Sequence, residues 1–171
     1  RGRHEQALEA LAEAREWLHG RPIMSAFGGV VAALEATSTA ALGDTRAAAQ
    51  LLAQANGAGD TQEVAVAVAR LRLRDGDAEG ARAAVAPYLD APRTPLHAVR
   101  VETCVVAALA SDALADHGEA AAALEQALGR AEAGGGRRPF LTEGALIAPL
   151  LGRQIRGGAS HRAPAGWPPR A

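Results

Sequence analysis

The chain has 171 residues, 49% hydrophobic but only 3% aromatic, and its 18 basic and 19 acidic side chains leave a formal charge of −1. That length suits one domain or a short stack of repeats able to bury a core. The balanced charge offers no footprint for nucleic acid or an anionic membrane, and the lone Cys104 excludes an internal disulfide.

About a quarter of the residues are Ala, the best helix former, and every basic residue is Arg. The absence of Lys reads as coding bias from a GC-rich bacterial genome. No apolar run is long enough for a membrane span and no signal-peptide core is visible, so a cytoplasmic location is expected. The chain starts at Arg1 without an initiator Met, which fits a piece of a longer protein.

In chain order, Ala7, Leu8, Leu11, Ala14 and Leu18 recur at helical spacing opposite Glu5, Glu9, Glu13 and Glu16, which predicts a helix over 3–18. A second helix is expected over 23–42, with Gly28-Gly29 marking close packing or a kink. Asp44 or Thr45 caps a third reaching residue 55, and Asp60 or Thr61 caps a fourth with Glu63 in its first turn. The alternation Val64-Ala65-Val66-Ala67-Val68-Ala69 resembles a strand. Both of its faces are apolar, however, and a helix sandwiched between two helical layers accounts for it. Gly76-Asp77 opens a fifth helix that Pro87 shortens or kinks. Thr94-Pro95 reads as the start of a sixth, reaching about residue 116. His117-Gly118 is the next break, followed by helices over 120–133 and 139–154. The segment 157–171, rich in Pro, Gly and Arg, reads as a flexible tail or linker after a repeat domain spanning 1–156.

The breaks Gly2, Gly43, Gly76 and Gly118 stand 41, 33 and 42 residues apart. Five residues beyond each lies Ala (Ala7, Ala48, Ala81, Ala123), and nine beyond lies Leu11, Leu52, Val85 or Ala127. One helix pair per period is the spacing of tetratricopeptide-type arrays. The expected fold is therefore all-α: about eight helices stacked as antiparallel hairpins in a right-handed, tetratricopeptide-like superhelix with a binding groove.

Catalytic chemistry finds little footing. A phosphate-binding Walker loop needs Lys, GxGxxG is absent, and His4-Glu5 lacks the second His of a zinc protease motif. The histidines His4, His19, His97, His117 and His161 are scattered, and Cys104 sits among valines as a core thiol. Asp112, Asp116 and Glu119 read as solvated helix-end carboxylates. No metal, cofactor or catalytic residue is expected. Arg70 and Arg74 share a helical face. They either receive an anionic ligand, helped by Arg100 from the next helix, or pair with Asp75, Asp77 or Glu79. Trp17, Phe27 and Tyr88 are the rare aromatics within the array. Trp17 and Tyr88 join Arg70, Arg74 and Arg100 as groove candidates, with packing between repeats as their default role.

From His117 onward the chain reads HGEAAAALEQALGRAEAGGGRRPFLTEGALIAPLL. Ala123-Leu124 and Ala127-Leu128 lead into a Gly-rich turn, then Arg138-Pro139-Phe140-Leu141-Thr142-Glu143-Gly144 and the pair Leu150-Leu151. This resembles the end of the helical sensor region in MalT-like, LuxR-type bacterial regulators, over about forty residues. The resemblance implies an array sensing a small-molecule inducer or protein partner, between an ATPase module and a C-terminal helix-turn-helix. It transfers no ligand residue to a position here. This segment itself is expected to bind neither nucleic acid nor membrane, and self-association is left open. The competing reading is a free-standing tetratricopeptide-like adaptor, and an enzyme using Asp112, Asp116 and Glu119 comes third.

Overall fold

A computed structural model describes residues 2–18, 25–56, 61–90, 96–134 and 138–161. These residues form α1 (Gly2–Leu18), α2 (Ser25–Ala41), α3 (Thr45–Asn56), α4 (Gln62–Arg74), α5 (Ala78–Val85), a 3-10 turn (Ala86–Tyr88), α6 (His97–Ala113), α7 (His117–Gly134), α8 (Arg138–Thr142) and α9 (Gly144–His161). No strand occurs among them, and the fold is all-α.

One turn is built three times. After α2, α4 and α6 the chain enters the left-handed region at Gly43 (φ 105°), Gly76 (φ 82°) and Ala115 (φ 60°). Each time the next residue is Asp. Its N–H closes the finished helix, on Thr39 O (3.2 Å), Arg72 O (2.8 Å) and Ser111 O (2.9 Å). Its carboxylate opens the following helix, accepting from Ala47 N (2.9 Å), Gly80 N (2.8 Å) and Glu119 N (3.2 Å). Asp44, Asp77 and Asp116 thus each satisfy orphan backbone groups of two helices.

This turn corrects the register expected from the glycines. The third break is Ala115-Asp116, and Gly118 lies inside α7, so the period is 33 and then 39 residues. In the corrected register the fifth positions are Ala48, Ala81 and Ala120, and the ninth are Leu52, Val85 and Leu124. All six are buried. The outlying first unit behaves differently: α1 has no buried residue, and Ala7 and Leu11 stay partly exposed.

Packing explains the Val-Ala alternation in α4. Val64, Ala67 and Leu71 face a cluster with Ala33, Ala36, Ala40, Ala48 and Leu52 of α2 and α3. Val66 and Ala69 face the other way, into the larger core formed with α5, α6, α7 and α9. Both stripes step by three or four residues, so one helix carries two apolar faces. Most of α6 is buried, including Val101, Cys104, Val105, Val106 and Leu109, and each large side chain removed from water contributes about 1.5–3 kcal/mol. Contacts run α2 to α4 to α6, with α8 and α9 against α6, while α3, α5 and α7 pack on the flanks. The even helices therefore form a common layer.

Several boundaries shift. Helix α6 starts at His97 with Leu96 in the cap position, so Pro95 is not its first residue; Thr94 and Pro95 lie outside the described residues. The last expected helix is two, because the chain turns at Glu143, whose carbonyl accepts from Leu146 and Ile147 (both 2.9 Å) and starts α9. That raises the count from the expected eight to nine among the described residues. Helix α9 continues past Gly157 to His161, and the rest of the expected tail lies outside the described residues.

Candidate functional site

The layer of even helices carries a groove of about 680 Å³. Its floor is Ala36, Thr37, Ala40 and Ala41 of α2, Ala67, Arg70, Leu71, Leu73 and Arg74 of α4, and Val106 and Leu109 of α6. His4 of α1 stands at the α2 side, and Thr142, Glu143, Ala145 and Leu146 of the α8–α9 junction at the α6 side. The depth follows from composition: Ala on α2 and α4 fills little of the space that larger side chains would occupy.

Arg70 is the polar centre. Its Nε donates to Glu143 Oε1 at 2.9 Å and its Nη1 to Glu102 Oε2 at 3.2 Å. The three side chains are 18%, 15% and 23% exposed, so these ion pairs are mostly shielded. Arg70 therefore ties α4 to α6 and to the α8–α9 turn. Its remaining nitrogen, Nη2, is buried and has no acceptor. One turn later Arg74 donates from Nη1 to Ala40 O (3.0 Å), near the C-terminal end of α2, where a cation is favoured. The hydroxyls of Thr37 and Thr142 donate to carbonyls of their own helices, on Ala33 (2.7 Å) and Arg138 (3.1 Å).

Of the five residues singled out from the sequence, Arg70 and Arg74 line the groove and the other three do not. Trp17 is 56% exposed near the C-terminal end of α1. Tyr88 is buried in the 3-10 turn after α5. Arg100 is half-buried in the first turn of α6. The expected pairing of Arg70 with Asp75, Asp77 or Glu79 gives way to Glu102 and Glu143; it is Arg72 that approaches Asp77, at 3.9 Å. Sequence reasoning passed over Glu102, Leu146 and the groove role of His4. Arg70 and Glu143 are 73 positions apart, and no local spacing could have joined them.

The carboxylates Asp112 and Asp116 have structural partners. Asp112 Oδ1 accepts from Arg153 and from His117 Nδ1 (3.2 Å), beside a hollow of about 160 Å³ under Leu124 and Leu150. Asp116 caps α7 and approaches Arg82 at 3.5 Å. Burial in α6 pushes the Cys104 thiol up from its ordinary value, against the opposing pull of the nearby Arg130 guanidinium. Among the described residues no group of three or more His, Cys, Asp or Glu side chains is arranged to hold a metal ion, and no helix is long and apolar enough to cross a membrane. Comparison with known families, curated proteins and solved structures returns no match to this chain.

Proposed function

We propose that the chain is the non-catalytic sensing region of a MalT-like, LuxR-type transcriptional regulator, and that an inducer or a partner segment occupies the groove across α2, α4 and α6. The groove carries this reading. Its volume of about 680 Å³ falls in the range of sites that hold small organic molecules, and its lining is mostly Ala, Leu and Val around one polar centre. The stretch Arg138–Gly144, on which the family resemblance rests, forms α8 and the turn that walls the groove, with Glu143 bonded to Arg70.

The rest of the reading follows from the same residues. The thrice-built turn supports stacked helix pairs of the tetratricopeptide kind, with a right-handed superhelix as the expected overall course. Asp112, Asp116 and the groove hydroxyls are engaged in helix caps, ion pairs and backbone hydrogen bonds, which supports binding over catalysis. A cytoplasmic location belongs to this reading, and DNA contact falls to a separate helix-turn-helix.

The test is genetic. Replacing the chromosomal gene by one encoding Ala145→Trp, an exposed groove position, leaves the protein level unchanged and removes the transcriptional response that deletion of the gene removes. If deletion changes no transcript, the regulator reading falls and the adaptor reading replaces it.

A further inference from the structure

The groove also indicates the chemistry of its occupant. Ala36, Ala40, Ala67, Leu71 and Leu109 on its floor require that most of the occupant be apolar. Arg70 adds a specific demand. Its Nη2 is shut away from solvent with no acceptor; the other such nitrogen among the described residues, Arg130 Nη1, is not on the groove lining. Buried N–H groups are nearly always paired, so a donor left unmet beside a cavity calls for an oxygen acceptor.

The charge of that acceptor follows from the partners Arg70 already has. Glu143 and Glu102 both hold the guanidinium, so its positive charge is already met by two carboxylates. A ligand carboxylate would be the third around one cation, and repulsion between like charges grows where water is excluded. A ligand amine would bring donors where an acceptor is missing. A carbonyl or hydroxyl oxygen accepts from Nη2 at no cost in charge. Resting on the sensing-groove reading above, we propose that the occupant is a neutral, largely apolar small molecule whose carbonyl or hydroxyl oxygen accepts from the Arg70 guanidinium. Entry requires the side chains over Nη2 to give way.

Nitrogen-15 NMR titration of the intact chain decides this. The probes are 2-decanone, decanoate, decylammonium and cyclohexane, each kept below its aggregation limit. The reporters are the backbone amides of Ala40, Ala67 and Ala145 and the side-chain Nε–H of Arg70. The expected result is that 2-decanone moves all four signals and binds at least about tenfold more tightly than either charged probe. Ala145→Trp, checked for unchanged helicity, weakens 2-decanone to a similar degree. Charged probes that match or exceed 2-decanone, or cyclohexane binding equally well with the Arg70 signal unmoved, would overturn the neutral-acceptor assignment and leave the groove standing. If no probe moves the groove amides, or if Ala145→Trp changes nothing, the groove reading fails and takes this inference with it.

Discussion

Ala115 occupies the position that Gly43 and Gly76 fill in the two preceding turns, with φ of 60°. A Cβ in the left-handed region approaches the following carbonyl oxygen and costs about 1–2 kcal/mol. Ala115→Gly removes that strain but gives the unfolded chain more freedom, which offsets about 0.4–1 kcal/mol. Ala115 is exposed, so no packing is lost, and the net expectation is a gain of about 0.5–1 kcal/mol. For a chain of this length that raises the melting temperature by about 1–4 °C. The reciprocal changes Gly43→Ala and Gly76→Ala meet no atom within 4 Å, so any loss they cause is conformational. Urea denaturation and calorimetry of the three variants form a matched set, with one gain and two losses of similar size. A neutral or destabilising Ala115→Gly, together with neutral Gly→Ala changes, would refute the claim that the same strained position recurs in all three turns.

Gly29→Ala should destabilise by about 1–3 kcal/mol in the same assay, because its Cβ would lie 2.7 Å from Oγ1 of Thr61, the cap of α4. Arg70→Met leaves Glu102 and Glu143 facing each other without their cation, and a loss near the lower end of about 3–5 kcal/mol is expected because both keep some solvent. Adding Glu102→Gln and Glu143→Gln should restore much of it, and failure to do so would show that the charges are not what Arg70 stabilises. Cys104 should resist iodoacetamide at pH 8 in the folded protein and react readily in urea, since burial raises its pKa and disfavours the thiolate; equal rates in both states would contradict that burial. Random duplex DNA titrated at moderate salt should show no salt-sensitive micromolar binding, because 18 Arg are offset by 19 carboxylates.

Helix identity was legible in the sequence because it depends on neighbours in the chain. The apolar spacing of three and four, the caps Asp44, Thr61 and Asp77, and the stop imposed by Pro87 act within a turn or two. Even the two-faced character of α4 could be read from Val64 to Ala69, since Ala and Val together left no polar face. The repeat was harder to place, because Ala115 stands where glycine marks the earlier turns. A left-handed residue without glycine carries no compositional signal, and the next glycine, Gly118, stands three positions further on.

The groove was decided by tertiary structure alone. Its polar centre joins Arg70 to Glu102 and Glu143, 32 and 73 positions away. Ion pairs over such distances depend on how α4, α6 and α8 stack, which is set by volumes summed across the core. The same stacking put Tyr88 in the core and left Trp17 outside the groove, although both are among the chain's few aromatics. Local periodicity fixes which face of a helix is apolar, but only packing determines which polar residues from separate helices meet on the face that remains.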